Sequence, residues 1–250
     1  MSIDCLVNKF SKEKDINLKI DFRKLIIKKF SYFPNSKSLY VSISLYSGGT
    51  DCSYRLKAKI KNKNASFLDL KLSQDILSSD LEQTLDRFYF LKKQFMRQIE
   101  LLKQQYGFNK VCLLGISMGC VTTLMIANRN SNINKVILVV PGSCLAESMW
   151  KSIRTQHLKK IIELNGIGLK DLKQQWDSLA PENNLDGMKD KEINVYISQA
   201  DKIIPGELGE CLVDKMYEEN LLPRVYKNKH LGHYGTIARF YMFPNINIGT

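Results

Sequence analysis

A single serine stands between two glycines in the most apolar stretch of the chain. The pentapeptide GISMG places Ser117 two residues after Gly115 and two residues before Gly119. A serine hydroxyl becomes a nucleophile toward an acyl carbon when a neighbouring base removes its proton. On a sharp turn from a strand to a helix, only small residues fit two places before and two places after such a serine. The spacing therefore predicts a nucleophile on a tight turn.

Two other interpretations of this stretch stay open at this point. The segment from Val111 to Asn128 carries no charge, as a membrane span or a buried core segment would. It falls short of the ~20 apolar residues that a spanning helix needs, and it contains two glycines, two threonines and a serine. This composition argues against a span, whereas a glycine-lined turn in the core remains an alternative to the nucleophile.

A nucleophilic serine needs a base, and the chain has three histidines. His233 stands in the glycine-flanked loop LGHYG, after the last predicted strand, where the chain can return to the edge of a sheet. His230 precedes this loop and is expected to end the strand or to pack beneath the loop, and His157 is expected at an exposed helix position. We therefore take His233 as the candidate base.

The base in turn needs a carboxylate that holds its tautomer and stabilises the imidazolium. Asp201 directly follows the predicted strand INVYISQA, whereas Asp186 and Asp190 precede it. An aspartate that caps a helix or closes a turn is the alternative interpretation of Asp201. The order Ser117, Asp201, His233 places all three candidates after predicted strands.

The elements that must position these residues alternate along the chain from about residue 39 onward. The segment SSDLEQTLDRFYFLKKQFMRQIELLKQQYG has apolar residues in steps of three and four, which predicts an amphipathic helix. Short continuous apolar runs such as VILVV are typical of strands in a parallel sheet that is covered on both faces. The sequence therefore predicts an α/β fold with a doubly wound, mostly parallel sheet, whose reacting groups lie beyond the carboxyl ends of the strands.

Chemistry on an acyl carbon also needs hydrogen-bond donors for the oxyanion. The helix that follows Ser117 presents free amides and a positive dipole end, so the amide of Met118 is the first candidate donor. The loop LYSGGTD follows an earlier predicted strand, and its paired glycines let the backbone turn an amide toward the site. The second candidate donor is Gly49 or Thr50, of which we prefer Gly49.

These motifs together resemble the α/β-hydrolase superfamily. GISMG resembles its nucleophile elbow, SQADKIIP its acid loop, LGHYG its histidine loop and YSGG its oxyanion loop, over about residue 39 to the end. The resemblance implies an α/β-hydrolase fold in one domain over residues 1–250, with a helical lid inserted at residues 143–190. Tyr46 and Ser47 stand where family members often carry a histidine. Before residue 39, either the N-terminal sheet is reduced or KLIIKKFSYF supplies one of its strands.

The lid segment also supplies candidates for a substrate pocket. Met149, Trp150, Ile153 and Leu158 either line an acyl pocket or pack in the core. Trp150, together with Thr50 in the oxyanion loop, is therefore a substrate-binding candidate.

Composition bounds the remaining function classes. Hydrophobic residues make up 44% and charged residues 25% of the 250 residues, as in an ordinary globular protein. The six cysteines show no C-x-x-C pair, which indicates reduced thiols. The N-terminus lacks an apolar signal region, so a cytoplasmic location is expected.

The formal net charge of +12 admits two explanations. An anionic partner, such as nucleic acid or anionic lipid, is one, and lysine scattered over the surface is the other. No zinc-finger pattern and no interleaving of aromatic and basic residues is present. No nucleic-acid partner is therefore expected, peripheral contact with a membrane stays open, and the oligomeric state does not follow from the sequence.

The candidate residues predict a serine hydrolase that cleaves a carboxylic ester or a thioester through an acyl-enzyme on Ser117. No metal and no organic cofactor is implied, and the expected partner is a small-molecule or lipid-like acyl substrate. Acyl transfer to an acceptor other than water uses the same three residues and stays open. So do a binding protein without catalysis on the same fold and a basic module that binds anionic polymers or membranes.

Overall fold

Eight strands form one sheet within the part of the chain that the computed structural model describes, which is residues 14–16, 26–45, 56–58, 60 and 65–243. The strands are β1 (Lys14–Ile16), β2 (Ile26–Tyr32), β3 (Ser38–Leu45), β4 (Ser66–Leu72), β5 (Lys110–Ile116), β6 (Lys135–Val139), β7 (Glu192–Ser198) and β8 (Arg224–Asn228). Their order across the sheet is β1-β2-β4-β3-β5-β6-β7-β8.

The sheet is mostly parallel. β2 runs antiparallel to both β1 and β4, and each further pair across the sheet from β4 to β8 is parallel. In the central register, Leu113 of β5 pairs with Val41 of β3 on one side and with Val136 of β6 on the other. Parallel strands bring their carboxyl ends to one edge, so the segments that follow β3, β5, β6, β7 and β8 emerge together there.

Helices connect the strands and cover both faces of the sheet. They are α1 (Leu81–Tyr106), α2 (Gly119–Ala127), α3 (Leu145–Lys151), α4 (Gln156–Leu164), α5 (Leu169–Gln175), α6 (Gly206–Glu218) and α7 (His233–Met242). Short 3₁₀ turns cover Gln74–Ile76, Asp177–Leu179 and Pro181–Asn183. Helices α3 to α5 lie between β6 and β7, in the segment where the sequence predicts a helical lid.

Helix α1 confirms the amphipathic pattern read from the sequence. The carboxylate of Asp80 caps its first turn by accepting from the Gln83 amide at 3.1 Å. Gly107 ends it with a φ of 67°, a left-handed conformation that favours glycine. Its buried residues recur every three or four positions, and they are Leu81, Thr84, Phe88, Leu91, Phe95, Ile99 and Leu102.

The sheet is buried on both faces, as its continuous apolar strands require. Val111 and Leu113 of β5 join a core cluster that also holds apolar residues of α1 and α2. Cys112 and Leu114, the alternate residues of the same strand, join a second cluster that includes Phe240 of α7. The prediction of a doubly wound α/β fold is therefore confirmed.

Both antiparallel strands of the N-terminal edge are present. β2 lies within KLIIKKFSYF, and β1 pairs with it in antiparallel register. Of the two alternatives for this region, the structure therefore has the one in which this segment supplies a strand.

The uncharged stretch of the sequence forms β5, the turn after it and α2. All nine residues of α2 are buried, which explains why this helix is apolar on every side. Among the helices that the structure describes, none has both the length and the hydropathy needed to cross a membrane.

Candidate active site

Ser117 lies on the turn between β5 and α2. Its φ is +55°, in the left-handed region that residues other than glycine seldom adopt. The Ser117 amide donates to the Val139 carbonyl at 2.9 Å, and the Ser117 carbonyl accepts from the Cys120 amide at 2.8 Å. The neighbouring strand and helix thus hold a strained backbone conformation in place, and such conformations cluster at functional sites.

The two flanking glycines are sterically required. A Cβ on Gly115 would lie 2.6 Å from Thr123 Oγ1 and 2.7 Å from Cys120 Cα. A Cβ on Gly119 would lie 2.0 Å from the carbonyl oxygen of Ile43 in β3. Helix α2 therefore approaches strands β3 and β5 so closely that only glycine fits at either position.

Asp201 and His233 form a buried pair at the same edge of the sheet. Asp201 follows β7, and His233 is the first residue of α7, after β8. His233 Nδ1 lies 2.6 Å from Asp201 Oδ2, and the two side chains are only 5% and 1% exposed. Because a carboxylate only accepts, Nδ1 carries the proton of the neutral ring and leaves Nε2 as a proton acceptor.

The carboxylate and the histidine loop are themselves anchored. Asp201 Oδ1 accepts from the Ile203 amide at 2.8 Å and from the Ile204 amide at 3.0 Å. The hydroxyl of Ser198, the last residue of β7, donates to the Leu231 carbonyl at 2.6 Å. These bonds leave Oδ2 for the imidazole and tie the histidine loop to β7.

A cavity of about 970 Å³ opens beside this pair, and both Ser117 and His233 line it. Met118, which precedes the first residue of α2, lines it as well. Much of the remaining wall is apolar and includes Leu45, Leu77, Val121, Leu145, Met149, Leu158 and Ile204. The volume lies within the range of small-molecule sites in proteins.

The sequence matches no protein-family model and none of the curated proteins compared with it. Solved structures do match. An esterase of Pyrococcus furiosus has a TM-score of 0.63 at 12% identity, over 93% of this chain and 86% of its own. An acylaminoacyl peptidase of Pyrococcus horikoshii has a TM-score of 0.68 at 12% identity, over 96% of this chain but only 42% of its own. An acetyl xylan esterase of Thermoanaerobacterium has a TM-score of 0.62 at 12% identity, over 92% of this chain and 86% of its own.

The chain has the α/β-hydrolase fold. Within this α/β-hydrolase fold, Ser117, Met118 and His233 share one cavity, and Asp201 is joined to His233. Gly49 and Thr50 lie outside the described residues, so the second oxyanion donor and the contact of Thr50 with a substrate stay predictions.

The lid candidates divide between cavity and surface. Met149 and Leu158 line the cavity, whereas Ile153 is 66% exposed. Trp150 is absent from the described lining. It packs against the core, and Lys159 Nζ lies 5.0 Å from the centroid of its ring. Consecutive residues of a helix point in different directions, so α3 turns Met149 toward the cavity and Trp150 away from it.

A buried ion pair, of which Lys71 reaches the cavity wall, is not among the residues that the sequence motifs indicate. Lys71 lines the cavity, where its Nζ donates to Ser44 Oγ at 2.9 Å and lies 3.2 Å from Asp69 Oδ1. Asp69 and Lys71 stand two residues apart in the apolar strand FLDLKL, and that spacing places both on one face of the strand. The alternation of leucines with one acidic and one basic residue in this strand indicates a charged pair on one face.

Arg154 and His157 also line the cavity, and no motif indicates them. His157 is exposed, as expected from the sequence, yet it contributes to the wall. Both residues come from the segment around the start of α4, whose placement over the sheet edge depends on tertiary packing. Their role therefore has no local sequence signal.

Cys120, three positions after Ser117, also lines the cavity. Burial raises the pKa of its thiol, so the group stays protonated and is a poor nucleophile. The described cysteines, Cys112, Cys120, Cys144 and Cys211, are free. Among the described residues, no three His, Cys, Asp or Glu side chains are grouped so as to hold a metal ion.

Proposed function

We propose that this protein is a serine hydrolase that cleaves a carboxylic ester or a thioester through an acyl-enzyme on Ser117. The pairing of His233 with Asp201 at 2.6 Å, on the wall of the cavity that Ser117 lines, is the observation that carries the proposal. The esterases among the structural neighbours support ester hydrolysis in particular. The apolar wall suits an acyl chain or an apolar alcohol.

Acylation begins when His233 Nε2 accepts the Ser117 proton while Ser117 Oγ bonds to the acyl carbon. Asp201 stabilises the imidazolium that forms and holds its orientation. The carboxylate can do so because hydrogen bonds from two backbone amides to its Oδ1 already fix its position. His233 then gives the proton to the leaving oxygen or sulfur. The bond from the acyl carbon to the leaving group breaks, and the acyl-enzyme remains.

The tetrahedral intermediate carries its negative charge on the former carbonyl oxygen. The Ser117 amide already donates to the Val139 carbonyl at 2.9 Å, so we assign the first oxyanion donor to the next amide, that of Met118. The Met118 amide lies at the amino end of α2, where the helix dipole also favours a negative charge. We assign the second donor to the Gly49 amide.

Deacylation repeats the same steps with water. His233 Nε2 takes a proton from water as the water oxygen bonds to the acyl carbon. The bond to Ser117 Oγ then breaks, Oγ recovers its proton from the imidazolium, and a carboxylic acid leaves. Each turnover therefore restores the neutral His233 ring beside the Asp201 carboxylate, without any group beyond the chain and water.

Labelling with a fluorophosphonate probe tests the proposal directly. The folded wild-type protein should be labelled, and Ser117→Ala should lose the label. The matched control is Ser178→Ala, because Ser178 is an exposed serine outside the cavity lining. An unlabelled wild type, or a Ser117→Ala variant that labels as well as the wild type while its circular dichroism is unchanged, would refute the assignment.

A panel of p-nitrophenyl esters and acyl-CoA thioesters then separates ester from thioester hydrolysis and measures the preferred chain length. Activity in this panel should disappear in Ser117→Ala, since the acyl-enzyme forms on that hydroxyl. Protein-catalysed hydrolysis that persists in Ser117→Ala would not depend on this hydroxyl and would contradict the mechanism.

A further inference from the structure

The cavity beside Ser117 is lined by cationic side chains and by no carboxylate of the described residues. Lys71 and Arg154 line it, and none of the described aspartates or glutamates does. His157 adds a second imidazole to that of His233. An anion is attracted to such a concave site by those of its cations that are not already compensated within the protein.

The charge of Lys71 is already matched within the protein. Its Nζ lies 3.2 Å from Asp69 Oδ1 and donates to Ser44 Oγ at 2.9 Å. The two ionic side chains are 9% and 2% exposed, so a buried cation faces a buried anion. As a unit, the pair therefore gives the cavity no net positive charge.

Arg154 differs, because no carboxylate of the described residues forms an ion pair with it. Its side chain is exposed, and its Cζ lies 5.4 Å from the centroid of the Tyr234 ring, within the range of a cation–π contact. The Arg154 amide donates to Ser152 Oγ at 3.3 Å, which orders the loop between α3 and α4. The guanidinium on the cavity wall is thus in contact with the Tyr234 ring and with no acid of the described residues.

Tyr234 places this charge close to the reacting groups. It follows His233 in α7, and the two rings meet edge to face with centroids 5.4 Å apart. The two successive contacts of 5.4 Å put the Arg154 charge no more than about 11 Å from the His233 ring. A substrate bound at Ser117 can therefore reach both groups.

We infer, on the premise of the proposed hydrolase function, that Arg154 binds an anionic group of the substrate at the mouth of the cavity. The group is a carboxylate or a phosphate, because the planar guanidinium donates two parallel N–H···O bonds to either one. It lies several bonds from the scissile carbonyl, and the apolar wall around Met149 and Leu158 contacts the part between them. The net charge of +12 further favours the approach of such a substrate.

Matched substrate pairs test this inference through a ratio of kcat/KM values. On the acyl side, p-nitrophenyl hydrogen adipate is compared with p-nitrophenyl heptanoate, a neutral ester of similar length. On the alcohol side, 4-(butanoyloxy)benzoate and 4-(butanoyloxy)phenyl phosphate are each compared with methyl 4-(butanoyloxy)benzoate. The pairs distinguish which side of the ester carries the anion, and whether it is a carboxylate or a phosphate.

In at least one pair, the wild-type protein should prefer the anionic member. Arg154→Gln should lower that preference about tenfold, because a charge-assisted hydrogen bond typically contributes a factor of about this size. Arg154→Lys should keep part of it, because lysine retains the charge but loses the planar fork. Added salt should weaken the wild-type preference. The control Lys160→Ala removes an exposed cation of α4 outside the cavity lining and should leave the ratio unchanged.

A ratio that is the same in the wild type and in Arg154→Gln for every pair would overturn the inference. So would an equal fall in Lys160→Ala, since the effect would then come from overall charge. In both cases, fluorophosphonate labelling of Ser117 and hydrolysis of the neutral esters would still support the proposed function. Loss of labelling and of all hydrolysis in the wild type would instead remove the hydrolase premise, and the inference with it.

Discussion

Replacing Gly119 by alanine sets two opposite effects against each other. Helix propensity alone favours alanine over glycine by about 1 kcal/mol within a helix. The new Cβ, however, would lie 2.0 Å from the Ile43 carbonyl oxygen and 2.7 Å from its carbon. Real Cβ contacts stay above 3.0 Å, so α2 and β3 would have to separate by at least about 1 Å. The obstacle is backbone of a strand held between β4 and β5, which cannot yield as a flexible side chain would.

The steric effect should therefore win. Overpacking of this kind costs up to about 3 kcal/mol, and subtracting the propensity gain leaves about 2 kcal/mol of lost stability. For a chain of this size, that loss lowers Tm by roughly 6 °C. The same shift moves the Met118 amide by about 1 Å, and a displacement of that size costs about 100-fold in kcat.

Thermal unfolding and ester hydrolysis of Gly119→Ala measure the two effects together. Gly168→Ala is the matched control, because its Cβ would meet only Asp171 Oδ2 at 3.4 Å, an ordinary contact outside the cavity. The control should change Tm by a small amount and leave kcat unaltered. A Gly119→Ala variant that is more stable than the wild type and fully active would refute the steric explanation of this glycine.

Two further predictions concern charged side chains. In Asp201→Asn, the Oδ1 bonds to backbone amides should keep the amide oxygen in place and turn its NH₂ toward His233 Nδ1. That forces the proton onto Nε2, so kcat should fall by about 10⁴-fold with little change in Tm; a loss below tenfold would contradict the tautomer argument. Hydrogen bonds from Lys151 and Lys173 lower the pKa of Glu147, so its stabilisation is present at neutral pH and is lost as pH falls through the lowered pKa. Glu147→Gln should cost up to about 1 kcal/mol at pH 7, because both lysines are well exposed, and the difference from the wild type should vanish in acid; a difference that grows on acidification would show that the sign is wrong.

The features that depend on local sequence patterns could be predicted. The apolar run around VILVV predicts a buried strand, and the three-and-four spacing before Gly107 predicts α1, because burial imposes those periods on any chain. The strand-to-helix turn at Ser117 is equally local, since two glycines and one serine are required within five residues. Asp201 and His233 follow from the strands before them, because parallel strands end at one edge.

Features set by packing between distant segments left little or no local mark. Trp150 and Met149 are adjacent large residues of one helix, and only the direction of α3 over the sheet decides which one faces the cavity. No local pattern predicts the position of Arg154, because its contact with Tyr234 brings together segments about eighty positions apart in the sequence. The pairing of Lys71 with Asp69 could be predicted from the sequence, because an aspartate two residues earlier in a strand lies on the same face.

The connection between β6 and β7 has a consequence for how this protein can vary. The two strands are parallel neighbours, so the chain that leaves the edge of the candidate site after Val139 must return to the opposite edge before Glu192. A crossover of this kind needs only a dozen or so residues, whereas residues 140–191 make a much longer excursion that lines the cavity on the way. The cavity wall is thus formed partly by residues that the crossover itself does not require. Related chains can carry a longer, shorter or different segment here. The connection itself must remain, because without it β6 and β7 could not be parallel neighbours.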